Sequence, residues 1–164
     1  MSTASPERTA LHVEVTVDAP IEHAFRIFTE RFDDIKPHAH NLLEVPIART
    51  VFEARTGGAI YDVGTDGSTC TWARVLACEP PHRLVFSWDI SPQWQIEPDP
   101  ARTSEVEIRF IPETPARTRV ALTHRHLDRH GDGWHGFTSL DAGDGWPLYL
   151  ERYRAVVEEG VTIE

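Results

Sequence analysis

The sequence carries nine histidines, and four of them form two alternating pairs, His38-Ala39-His40 and His124-Arg125-His126. On a strand this spacing puts both rings of a pair on one face, where two imidazoles could hold zinc or another transition metal. A third ligand would have to come from Asp128, His130, His135 or another carboxylate. The glycine-spaced glutamate and downstream histidine that would complete such a site are missing. The pairs therefore read as a polar rim with surface histidines, and no metal or other cofactor is expected. His124 taken singly is a candidate general base, because imidazole titrates near neutrality. The plainer reading is a buried histidine satisfied by a hydrogen bond.

Other reactive chemistry is sparse. There is no G-x-S-x-G elbow. Cys70 and Cys78 lie eight residues apart on an extended segment, about 26 Å at ~3.3 Å per residue, far beyond disulfide reach. They read as packed, reduced thiols of a cytoplasmic protein. Gly131-Asp132-Gly133 and Gly143-Asp144-Gly145 are loop glycines and do not form a phosphate cradle. No carboxylate pair suggests an acid/base dyad, and Glu151, Glu158 and Glu159 read as a solvated helix face. Arg74 shares strand parity with Trp72 and Leu76. Facing inward it could clamp a ligand carboxylate or phenolate. It is read as facing outward, since a lone buried arginine is costly. Of the 16 basic residues only Lys36 is a lysine, which reads as a coding bias with no function attached.

The elements that must position these groups follow from periodicity. Leu11–Val17 alternates as a half-buried strand. Pro20 opens a helix to Glu30, with Ile21, Ala24, Phe25 and Phe28 as its apolar stripe. Pro37 forbids a long helix through 31–44. Extended segments are expected at Val45–Arg55, Ala59–Val63, Ser68–Cys78, Arg83–Ile90, Ser104–Ile111 and Arg117–His126, the last two as a hairpin across residues 112–116. Pro147 opens a final helix whose face is Trp146, Tyr149, Leu150, Tyr153 and Val157, with Gly160 as its C′ residue. Residues 1–9 read as a disordered start and 10–164 as one domain.

This order makes the class α+β: a curved antiparallel sheet of about seven strands wrapped around a long C-terminal helix, with a short helix after the first strand. A helix of about 14 residues is only ~21 Å long and cannot fill such a concavity, so a pocket is expected between helix and sheet. Trp72, Trp88, Trp134 and Trp146 stand near its expected lining. Strand parity alone does not settle which face of the Trp72 strand points in.

The formal charge of −10, with 26 acidic residues against 16 basic ones, counts against nucleic-acid or anionic-lipid partners. No run of apolar residues is long enough to span a membrane.

The segments V-D-A-P-I-E-H-A-F (17–25), A-R-V-L-A-C-E-P-P-H-R-L-V-F-S-W (73–88), T-R-V-A-L-T-H (118–124) and G-D-G-W-P-L-Y-L-E-R-Y (143–153) resemble the START-like, helix-grip superfamily. The resemblance runs from Leu11 to Glu159. Within the superfamily it is to the branch named for the C-terminal domain of the activator of the heat-shock-protein-90 ATPase. It implies a sheet gripping the last helix around an apolar cavity, with Trp88 and His124 toward that cavity, and it implies no cofactor. The superfamily hosts carriers, cyclases and chaperone cofactors, so it specifies fold better than activity.

The favoured reading is a binder, more than an enzyme, of a small hydrophobic or aromatic molecule. Its expected walls are Phe28, Trp72, Trp88, Phe110, Leu122, Trp146, Tyr149 and Tyr153, with His124 and His126 as a polar tether. Two alternatives stand beside it: a co-chaperone acting through its acidic surface, and a cyclase or hydrolase using His124. The first is set back because the eukaryotic activator's N-terminal domain has no counterpart in this sequence. Homodimerisation through a sheet edge is left open.

Overall fold

The computed structural model describes residues 9–143 and 145–159. The expected disordered start falls outside these residues except for Thr9, whose carbonyl accepts from the Leu127 N–H at 2.9 Å. Gly160 also lies outside them. β1 (Leu11–Val17) is followed by α1 (Ile21–Glu30), capped by Pro20, and by the single turn α2 (Phe32–Ile35). Six strands come next: β2 (Ile47–Phe52), β3 (Ala59–Gly64), β4 (Thr69–Glu79), β5 (Arg83–Trp88), β6 (Ser104–Thr114) and β7 (Arg117–Arg125). After two 3-10 segments the last described element is α3 (Trp146–Glu159).

All neighbours are antiparallel, in the order β1-β7-β6-β5-β4-β3-β2. β2 to β7 form a meander, and β1 closes onto β7. The sheet curls into a half-barrel with α3 in its concavity. Among the described residues no helix is long and apolar enough to cross a membrane.

The boundaries differ from expectation at several ends: β2 is shorter than the 45–55 expected, β5 stops at Trp88 short of Ile90, and α2 is a helical turn that periodicity did not show. β6 continues through Pro112 to Thr114, so the hairpin turn shrinks to Pro115-Ala116. The glycine-rich segment before α3 is not featureless, because residues 134–141 form 3-10 turns that bury Trp134 and Phe137.

Strand parity is broken twice on β4. The register shifts between Ile60 and Tyr61 against β3, and again between Val75 and Ala77 against β5. A bulge puts the following residues on the opposite face from the one simple alternation predicts. Trp72 therefore points into the concavity while Arg74, two residues on, does not. Arg74 stays partly exposed and forms a two-point ion pair with Asp89, Nε to Oδ2 and Nη2 to Oδ1, both at 3.0 Å. On the outer face, Glu107 is more buried than a water-facing residue should be. It lies under Arg83 (2.6 Å) and Arg109 (3.1 Å).

The concavity fills unevenly. At the α1 end, Phe28 packs on Phe32, Phe110 and Tyr153 with ring centroids 5.3–6.0 Å apart, in the tilted and edge-to-face contacts that aromatic quadrupoles favour. The Tyr153 hydroxyl donates to the Ala24 carbonyl at 2.7 Å, tying α3 to α1. At the other end the space between the sheet and α3 stays open.

Candidate functional site

The open end is a cavity of about 540 Å³ between the sheet, α3, the loop at residues 36–42 and the segment at residues 139–142 with Gly145. This is the size range of small-molecule sites. Of the residues expected to line it, Trp72, Trp88, Trp146 and Tyr149 do so. Trp88 meets both Trp72 (5.9 Å) and Trp146 (5.4 Å), and Trp146 meets Tyr149 (5.1 Å). Phe28, Phe110, Leu122 and Tyr153 belong to the packed end and are buried in the core. Trp134 stacks on His135 (3.9 Å), away from the lining.

His126 does not share the face of Val120, Leu122 and His124. β7 stops at Arg125, and His126 turns out of the strand with φ 65° in the left-handed region. His124 is fully buried behind the indole wall. Its Nδ1 accepts from Trp146 Nε1–H at 3.1 Å, and its Nε2 lies 2.7 Å from Ser104 Oγ. Ser104 Oγ in turn lies 2.7 Å from His130 Nε2. The network assigns the tautomers. An indole can only donate, so His124 Nδ1 is bare and Nε2–H donates to Ser104, whose O–H donates to His130. Neither nitrogen of His124 keeps a lone pair for a substrate proton, so this geometry gives it a structural role. Burial, with the His124–His130 proximity adding to it, depresses His124 to about 3. His130 falls to about 4, mainly through burial.

The other H-x-H pair is divided as well. His38 Nε2 meets Asp33 Oδ1 at 2.9 Å, and His40 Nδ1 meets the Tyr149 hydroxyl at 3.0 Å. Among the described residues no three His, Cys, Asp or Glu side chains gather as metal ligands.

Sequence reasoning passed over the polar corner of the cavity. Lys36, the lysine set aside as a coding bias, is 4% exposed and lies in the cavity wall. Pro37 holds Lys36 in an extended conformation (ψ 124°), which ends α2 and turns the chain there. Arg152 on α3 is also buried and fixes this turn, donating to the carbonyls of Ile35 (2.7 Å) and Asp34 (3.2 Å). The Lys36 ammonium meets Asp62 Oδ2 at 3.2 Å and donates to the His40 carbonyl at 2.5 Å, 5.8 Å from the Trp72 ring centroid. Asp62, 2% exposed, also accepts from the Thr50 hydroxyl at 2.7 Å. Burial pulls Lys36 below its ordinary value, and Asp62 opposes that pull. Burial pushes the Tyr149 phenol up, so it remains a neutral hydroxyl. The signal in the sequence was a lone Lys directly before Pro, with an Asp on an otherwise apolar strand stretch.

Gly145 closes the wall before α3. A Cβ there would come within 2.1 Å of the Leu140 carbonyl oxygen, so no side chain fits. Trp94 sits at the mouth, 52% exposed, held at φ 59° and edge-on to Phe137 at 5.6 Å.

With this geometry established, the family becomes clear. The family described as "Activator of Hsp90 ATPase homolog 1-like protein" matches residues 18–158. The chain belongs to this family. Its START-like, helix-grip architecture is shared by solved structures. One is Txn09, an anthrahydroquino-γ-pyrone synthase complexed with SUM. It is 39% identical over 92% of this chain and 97% of that one, with a TM-score of 0.64. Another is CalC, a self-sacrificing resistance protein from Micromonospora echinospora, with 24% identity, 94% and 97% coverage and a TM-score of 0.65. A third is protein MLL2253 from Mesorhizobium loti, with 20% identity, 90% and 96% coverage and a TM-score of 0.62. The latter two speak to the fold alone. No curated protein matches the chain. For this family member, the common architecture supports a ligand-binding cavity between sheet and helix.

Proposed function

We propose that the cavity binds a planar, polycyclic aromatic hydroxy-ketone and closes an oxygen-containing ring on it, of the γ-pyrone type. The observation that carries this reading is the cavity itself: indole and phenol walls with one polar corner at Lys36, Asp62 and His40. Burial of a flat ring system against such walls contributes roughly 25 cal/mol per Å² of apolar surface. The 39% identity to a γ-pyrone synthase supports the reaction class.

The chemistry needs no redox partner. The oxygen of an ortho-hydroxyaryl β-diketone adds to the distal carbonyl carbon, and that carbonyl oxygen takes up a proton. The hydroxyl then leaves as water, together with a proton from the intervening carbon. The cavity would hold the side chain folded over the phenol, which lowers the entropic part of the barrier. His124 is not needed, because its nitrogens are already occupied.

Titration with alizarin, a hydroxyanthraquinone, should quench tryptophan emission to saturation, and the protein should speed conversion of an ortho-hydroxyaryl β-diketone to the pyrone. Trp88→Phe should cut the quenching amplitude, while Trp134→Phe should leave it unchanged. Absence of saturable binding would remove the reading. Quenching that depends on Trp134 and not Trp88 would place the ligand elsewhere.

A further inference from the structure

The hydrogen-bonding capacity of the cavity wall is lopsided. The strongest acceptors are engaged: both Asp62 oxygens, through Lys36 and Thr50, and the Asn41 Oδ1, which takes the Leu43 N–H at 2.8 Å. One donor is not. The indole N–H groups of Trp72 and Trp88 are buried inside the packed wall and present their ring faces and edges, not donors, to the cavity. Lys36 has three N–H bonds. Asp62 and the His40 carbonyl are the oxygen partners seen for it among the described residues, which leaves one N–H over. A buried donor without an acceptor is costly, so such a wall favours a ligand that brings acceptors and disfavours one that brings donors.

Resting on the ligand class proposed above, we infer that Lys36 selects the ligand as its oxyanion, with the ammonium taking a phenolate at the polar corner of the cavity. The substrate class is thus narrowed to acidic phenols. A neutral polycyclic hydrocarbon of the same shape leaves the spare Lys36 N–H unpaired. A bound phenolate is also the form whose oxygen attacks in ring closure. The ammonium keeps its Asp62 partner, so the ligand adds a third contact and displaces none.

The test compares anthracene, anthraquinone and alizarin by tryptophan quenching, and follows the ionisation of bound alizarin by its visible colour change across pH. The bound alizarin should ionise at least about one pH unit lower than the free dye, an about tenfold preference for the anion. Affinity should rise from anthracene to anthraquinone to the alizarin anion. In Lys36→Met/Asp62→Leu, which leaves no lone charge in the wall and whose folding is checked by thermal melting, the downward shift should vanish while anthracene still binds. Saturable binding with ionisation unshifted or shifted upward would overturn the inference and leave the proposed function standing. So would a shift that persists in the double variant. Failure of all three probes to bind would overturn both.

Discussion

Lowering the pH from 7 to 5 should destabilise this protein steeply, before its carboxylates titrate. His124 and His130 are held neutral in the fold, at about 3 and about 4. In the unfolded chain they return to about 6.5. Both folded values are depressed, so their contribution to stability is complete above about 6.5 and is lost as pH falls toward the folded values. Below 6.5 the unfolded chain takes up protons that the folded one refuses. Each histidine then removes about 1.4 kcal/mol of stability per pH unit, and the two together remove close to 3 kcal/mol per unit. The structural cause is specific. A proton on His124 Nδ1 would point at the Trp146 indole N–H, setting donor against donor. Urea unfolding at pH 7.0, 6.0 and 5.0 reads the slope directly. His130→Gln, which can still bond Ser104, should halve that slope whatever it does to absolute stability. A flat profile over this range, or a slope unchanged in His130→Gln, would contradict the network.

The same histidines mark where the sequence was legible and where it was not. Periodicity placed the strands and helices well, because one face of each is buried against a single core and a two- or 3.6-residue repeat records that directly. It could not carry strand parity across β4. A register shift leaves no signature in composition, so the opposite placements of Trp72 and Arg74 appear only in three dimensions. His126 was lost for a related reason, a single left-handed residue at the end of β7. Aromatic residues marked the concavity as a whole. Its division into a packed end around Phe28 and an open end around Trp88 depends on how α1 and α3 tilt over the sheet, which spacing does not encode. Lys36 was overlooked because a charge is ordinarily assigned to the surface. The residue before Pro37 lies inward where Arg152, 117 residues along the chain from Ile35, holds the end of α2.

The Lys36–Asp62 pair should behave as a unit that stability does not require. Lys36→Met leaves the Asp62 carboxylate buried with only the Thr50 hydroxyl for company, and Asp62→Leu leaves the ammonium beside Trp72 with the His40 carbonyl but no counter-charge. Breaking a buried pair from one side typically costs about 3–5 kcal/mol, because the surviving charge keeps its desolvation penalty and loses its partner. Removing both charges relieves both penalties. The double variant Lys36→Met/Asp62→Leu should therefore recover most of that loss, less about 1 kcal/mol for the Thr50 hydroxyl bond. Urea unfolding of wild type, both single variants and the double closes the cycle, with a coupling energy of several kcal/mol expected. If the double variant is as unstable as the worse single, the pair is a structural clasp between the α2 turn and β3. If it recovers, stability gives no reason for a lysine and an aspartate at the wall of an aromatic cavity. The proposed recognition of a ligand in that cavity would then supply the reason.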